Sequence, residues 1–122
     1  MARVTHFEIT ADDPERASKF YAGVFDWKVN KWDGPEPYWL CATGQESEPG
    51  IDGAIMKRSA RLPETVNTIS VGSIEDTLTK IQEAGGSVLG PVQAIPGVGY
   101  HAYCRDTEGN AFGVIQNDPN AA

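Results

Sequence analysis

The sequence predicts an α+β fold built from two copies of one module: a strand, a helix, then three strands. Three observations carry this. Val4-Thr5-His6-Phe7-Glu8-Ile9 and Val66-Asn67-Thr68-Ile69-Ser70-Val71 are both short alternating runs, the signature of a half-buried strand. Each is followed by a capping signal and an amphipathic run, first Asp12-Asp13-Pro14, then Ser73-Ile74-Glu75-Asp76. Sixty-two positions separate His6 from Thr68, about half of the 122 residues, so the two halves read as a repeat. The expected domain is single, 1–122, with modules 1–62 and 63–122.

In the first module, Val4, His6 and Glu8 share one face of the opening strand, and Thr5, Phe7 and Ile9 the other. Asp12 or Asp13 caps the helix, with Pro14 in its first turn. Ala17, Phe20, Tyr21, Val24 and Phe25 recur at helical spacing and are expected to pack on the Phe7/Ile9 side. His6 and Glu8 are then left to line something else. Trp27-Lys28-Val29 begins the next strand, and Trp32-Asp33-Gly34-Pro35-Glu36-Pro37 is a turn-rich patch. Strands are expected near 38–43 and 51–58, with a polar loop at 44–50 and a linker at 63–65.

In the second module, Thr68 and Ser70 stand where His6 and Glu8 stood. Ser73-x-x-Asp76 resembles a capping box; Ile74, Leu78 and Ile81 form the apolar stripe, and Ala84-Gly85-Gly86 stops the helix. Strands are expected near 87–92, 100–105 and 111–116. Asp106-Thr107-Glu108-Gly109-Asn110 is the turn of a hairpin. Pro96-Gly97-Val98-Gly99 is a bend, and with no helix behind it, it is no phosphate cradle.

Composition narrows the partners. A formal charge of −7 with only 10 scattered Lys and Arg argues against nucleic acid, and Lys57-Arg58 with Arg61 suits a solvated strand end. No apolar run approaches the roughly 20 residues that cross a bilayer, so no membrane is expected. Met1-Ala2-Arg3-Val4 runs straight into a strand, which leaves no room for a signal peptide and sets the expected compartment as cytoplasmic. Cys41 and Cys104 lie in apolar strand runs without a CxxC context and are expected as buried, reduced thiols.

The chemistry-bearing residues are few. A metal site built symmetrically from the repeat needs a ligand in both copies, yet the copies offer His6 and Thr68. His6 reads either as a hydrogen-bonded polar residue or as a general acid–base, with Glu8 two residues on to orient or balance it. His101 shares a face with Tyr103 and Arg105. Trp32, Tyr38, Trp39, Tyr100 and Tyr103 fall in or beside strands; Trp39 reads chiefly as packing, the others as lining or packing.

The layout resembles the vicinal oxygen chelate superfamily, which includes glyoxalase I, bleomycin-resistance proteins, fosfomycin-resistance enzymes and extradiol dioxygenases. His6-Phe7-Glu8-Ile9 with Asp12-Asp13-Pro14-Glu15-Arg16-Ala17 and Phe20-Tyr21 carries the resemblance, along with Ala84-Gly85-Gly86 and Asp106-Thr107-Glu108-Gly109-Asn110. The resemblance implies a curved, mostly antiparallel eight-stranded sheet around a cleft, with the helices outside, and a homodimer. In metal-using members it implies ligands on the first strand, the fifth strand and the last strand. Those places here hold His6, Thr68 and Gly113, and the fourth strand has only Asp52 at its edge. No cofactor and no metal are therefore expected. The departure to watch is an atypical site joining His6 and His101 with Asp52 or Glu8.

The expected function is small-molecule binding, with an aromatic or hydrophobic ligand, similar to the bleomycin-binding type. His6 and Glu8 are the candidate catalytic pair; Trp32, Tyr38, Thr68, Ser70, His101 and Tyr103 are the candidate pocket. The alternative is a metal-dependent lyase or isomerase of the glyoxalase I type. A third possibility, a regulatory or partner-binding domain, has no residue in its favour.

Overall fold

The computed structural model describes residues 2–122. The order of elements is β1 (Arg3–Ala11), α1 (Pro14–Phe25), β2 (Lys28–Lys31), β3 (Tyr38–Ala42), β4 (Gly53–Lys57), β5 (Val66–Ser70), α2 (Ile74–Glu83), β6 (Ser87–Val88), β7 (Gln93–Ile95), β8 (Gly99–Arg105) and β9 (Ala111–Asn117). The class is α+β, and the strand–helix–three-strand module is present. The chain divides into two compact units, His6–Val66 and 67–122, the latter taking in the chain's start up to Thr5.

In the unit His6–Val66 the strand order is β2-β3-β4-β1. β2, β3 and β4 are antiparallel neighbours, while β1 runs parallel to β4 with Glu8 opposite Ala54 and Ile9 opposite Ile55. A parallel pair needs a long crossover, and the stretch through α1, β2 and β3 supplies it. The Asp13 carboxylate accepts from Arg16 N–H at the start of α1, and Pro14 follows where its missing N–H is harmless. The helix ends at Asp26, held left-handed at φ 59°, a conformation that short polar residues tolerate. The core gathers Ala11, Cys41 and Ile55, with Ile9, Ala17, Tyr21, Trp27, Val29 and Trp39 packed against them. Full burial of a side chain such as Ile55 contributes about 1.5–3 kcal/mol.

The stripe expected on α1 is only half covered. Ala17 and Tyr21 reach the core, but Phe20, Val24 and Phe25 are 55%, 59% and 56% exposed. Helical periodicity shows which residues share a face; it does not show how much of that face the sheet can cover. Phe20 and Phe25 instead meet Tyr21 and each other at ring-centroid distances of 5.2–6.5 Å.

In the other unit the order is β5-β9-β8-β6, with β7 also paired to β8. β5 and β9 are parallel, Thr68 lying opposite Gly113; β8 and β9 form a long antiparallel hairpin, Tyr103 opposite Gly113 and His101 opposite Ile115. The turn of that hairpin is held by Asp106, whose carboxylate accepts from Glu108 N–H and Asn110 N–H and sits below its usual pKa because of those bonds. The Ser73 hydroxyl accepts from Asp76 N–H at the start of α2, and Gly85 at φ 96° ends it. Ile74, Ala102, Cys104 and Val114 form the core, with Val71, Leu78, Ile81, Val88, Tyr100 and Phe112 around them. The strand expected at 87–92 is only two residues long; Gly90-Pro91 interrupts it, and β7 then pairs with β8 separately. Cys41 and Cys104 are buried, unpaired thiols.

Candidate functional site

Alternation on β1 puts His6 and Glu8 on one face two residues apart. Tyr38 opens β3, which is not the neighbour of β1: β4 lies between them. The Tyr38 ring must therefore cross a strand, over a gap of roughly 10 Å from β1 to β3. Ala54 lies opposite both Glu8 and Leu40 and offers only a methyl group to cross. The Tyr38 hydroxyl donates to the Glu8 carboxylate at 2.5 Å, and the His6 Nε2 lies 2.8 Å from the same hydroxyl oxygen. His6, Tyr38 and Glu8 thus form a continuous hydrogen-bonded chain, with Glu8 only 4% exposed.

Trp32 completes this group from the turn after β2. Its indole meets Tyr38 edge-on at 5.9 Å between ring centroids, and its backbone N–H donates to the Tyr38 carbonyl at 2.7 Å. The same indole lies across Gly34, where a Cβ would collide with the ring. Burial lowers the pKa of His6, against the opposing pull of the Glu8 and Asp52 carboxylates, which favours the neutral ring. Asp52 is exposed and accepts from the Thr43 N–H and hydroxyl. Trp39 packs on the core, with the Lys31 ammonium 5.4 Å from its ring centroid.

The second unit holds a different constellation. Thr68 is 2% exposed, and its hydroxyl has no hydrogen-bond partner among the described residues. It faces Gly113 across the parallel pair. A Cβ on Gly113 would lie 3.0 Å from the Thr68 Oγ1 and 2.7 Å from the His101 Nε2. The His101 imidazole thus leans over Gly113 and occupies the space a side chain there would take. Tyr103 meets the His101 ring at 4.5 Å, nearly perpendicular. Ser70 accepts from the Asn117 amide at 2.8 Å.

Of the residues singled out from the sequence, the structure therefore brings together His6, Glu8, Tyr38 and Trp32 in one unit, and Thr68, His101 and Tyr103 in the other, with Ser70 turned to Asn117. Sequence reasoning missed that Tyr38 links His6 to Glu8, and that His101 sits over Gly113. Also unforeseen is an open depression of about 400 Å³ beside α1, lined by Asp12, Arg16, Phe20, Tyr21 and Arg58 among others. Its arginines already face carboxylates, Arg58 to Asp12 at 3.1 Å and Arg16 to Asp13 at 3.9 Å.

The family model for the Glyoxalase/Bleomycin resistance protein/Dioxygenase superfamily matches residues 3–114. The chain belongs to this superfamily. A glyoxylase-like domain-containing protein of Didymella fabae is 28% identical over 92% of this chain and 91% of its own length. Among solved structures, a methylmalonyl-CoA epimerase in complex with methylmalonyl-CoA and NH4+ is similar with a TM-score of 0.73, at 11% identity and over 100% of this chain and 99% of that one. A variant methylmalonyl-CoA epimerase of Streptomyces coelicolor, in complex with 2-nitronate-propionyl-CoA, gives 0.72 at 11% identity, covering 98% and 97%. At that identity these structures share the fold.

The superfamily's metal-using members need imidazole and carboxylate donors. Here the corresponding positions supply His6, whose Nε2 faces Tyr38, the Thr68 hydroxyl, and Gly113, whose side-chain space His101 fills. Among the described residues no three His, Cys, Asp or Glu side chains gather as a ligand set. Of these three positions only His6 carries a side chain that commonly ligates a divalent metal.

Proposed function

We propose that this superfamily member is a small-molecule-binding protein that holds its ligand without the family's catalytic metal. What supports this most is the geometry at Gly113. A carboxylate reaching in from that strand would meet the His101 ring, and the hydroxyl opposite is a poor ligand for a divalent cation. The ligand is aromatic or hydrophobic. The candidate contacts are read unit by unit: His6, Glu8, Tyr38 and Trp32 form one set in the unit His6–Val66, and Thr68, Ser70, His101 and Tyr103 a separate set in the other. Tyr and Trp supply flat apolar surface, and the Thr68 hydroxyl is a buried group that a ligand can satisfy. The protein acts as a homodimer in the cytoplasm, where Cys41 and Cys104 stay reduced. No helix among the described residues is long and apolar enough to cross a membrane.

A thermal-shift screen with aromatic and cationic compounds tests the reading: at least one chemical series raises the melting temperature, and a flat response across the library overturns it. Sedimentation at micromolar concentration tests the dimer, which a lone 13.2 kDa species would rule out. One observation favours a second reading, a metal-dependent lyase or isomerase of the glyoxalase I type. His6 stands on the strand, and in the place, where such members carry their first ligand.

A further inference from the structure

The hydrogen bonds around Tyr38 have a direction, and that direction determines which nitrogen of His6 faces a ligand. A phenol has one hydrogen to give, and Tyr38 gives it to the Glu8 carboxylate. The Tyr38 oxygen can therefore only accept from His6, so the hydrogen at that 2.8 Å contact must sit on the His6 Nε2. In the neutral ring the lone pair is then on Nδ1. No hydrogen bond to Nδ1 is formed among the described residues, and His6 is only partly buried.

We propose that Tyr38 is a positioning residue that locks His6 as the Nε2–H tautomer, so that Nδ1 is a fixed hydrogen-bond acceptor for a ligand bearing an N–H or O–H donor and no negative charge. This rests on the reading of His6 as a ligand contact, and adds to it the polarity of the ligand. The charge preference comes from the surroundings. The carboxylates of Glu8 and Asp52 both impose a negative potential on the His6 ring. An anionic ligand would meet that potential and an acceptor at once. An amidine, an amide N–H or a protonated amine would find both favourable. The lock needs all three members: without the Tyr38 hydroxyl nothing selects between the two nitrogens, and without the Glu8 carboxylate the phenol is free to reverse its hydrogen.

Nitrogen-15 NMR of histidine-labelled protein, at a pH where imidazole is neutral, reads the tautomer directly. The chain has two histidines, so the variant His101→Gln assigns them. The expected spectrum has His6 Nε2 in the pyrrole-type range and Nδ1 in the pyridine-type range; the reverse, or two averaged nitrogens, overturns the proposal. In Tyr38→Phe the preference is expected to collapse to an average. An unchanged tautomer in folded Tyr38→Phe would show that Tyr38 does not impose it. The wild-type spectrum needs no variant, so a Tyr38→Phe chain that fails to fold leaves the tautomer decided. Benzamidine and benzoate then probe the ligand class. Benzamidine is expected to shift the Nδ1 resonance and benzoate to leave it. The opposite response refutes the charge preference. A response to neither sinks His6 as a ligand contact, while the tautomer stands or falls on its own spectrum.

Discussion

Gly113→Ala is a one-methyl change that is expected to disturb the protein through His101. The added Cβ would lie 2.7 Å from the His101 Nε2, 3.3 Å from its Cε1 and 3.0 Å from the Thr68 Oγ1. Comfortable contact for such atoms begins near 3.5 Å, so the imidazole must retreat by roughly 0.8 Å. Forced repacking of this kind costs about 1–3 kcal/mol. Against it stands the entropy that a glycine surrenders on folding, which favours alanine by about 0.4–1 kcal/mol where φ is ordinary. Gly113 is not among the residues with positive φ, so both effects apply. The net expectation is a loss of about 1–2 kcal/mol, which for a chain of this length lowers the melting temperature by roughly 3–8 °C. In the background of His101→Ala the closest obstacle is gone and only the 3.0 Å approach to the Thr68 Oγ1 remains, so the same methyl should be close to neutral. Urea unfolding of the four proteins in the cycle measures this, provided the slope with denaturant is unchanged. A coupling of about 1–2 kcal/mol supports His101 as the occupant of that space; additivity within about 0.5 kcal/mol, or a harmless Gly113→Ala in the wild type, refutes it.

Three further outcomes follow from the same geometry. Thr68→Val keeps the shape and removes a buried hydroxyl that has no partner, so it should stabilise the free protein by about 1 kcal/mol while weakening any ligand that uses the hydroxyl; a loss of stability in chemical denaturation would reveal a partner. The pKa of His6 is lowered in the folded state, so the unfolded chain binds its proton more readily. Stability should therefore fall as the pH drops below about 6.5 and level off once the folded protein also takes up the proton. His6→Gln should flatten that part of the curve, and an unchanged slope would contradict the assignment. Burial, aided by Asp52, pushes the Cys41 thiol up to about 11, and burial raises Cys104 as well. A disulfide reagent at pH 8 should therefore react with neither until the chain unfolds; fast labelling of the native protein would place a thiol at the surface.

What was legible in the sequence was local. Asp13-Pro14 and Ser73 marked where helices begin, Gly85 where one stops, and Asp106 to Asn110 where a strand reverses, because each acts through backbone within a few residues. Alternation placed His6 with Glu8, and His101 with Tyr103. It could not show that Tyr38 crosses an entire strand to join His6 to Glu8, since that depends on β4 running between β1 and β3 with a methyl at Ala54. Nor could it show His101 over Gly113, because the residue directly opposite Gly113 is Tyr103 and the histidine reaches it diagonally. The exposure of Phe20, Val24 and Phe25 is of the same kind: a stripe on a helix is visible in sequence, but the extent of the surface that meets it is not.

Elemental analysis of protein purified without chelator or affinity metal tests the central claim most directly. With His6 the only ordinary metal ligand among His6, Thr68 and Gly113, nickel, zinc, iron and manganese are expected well below one equivalent per chain, with no difference between wild type and His6→Ala. One equivalent of any of these metals in the wild type, lost on His6→Ala, would contradict the account and move the protein to the lyase or isomerase reading.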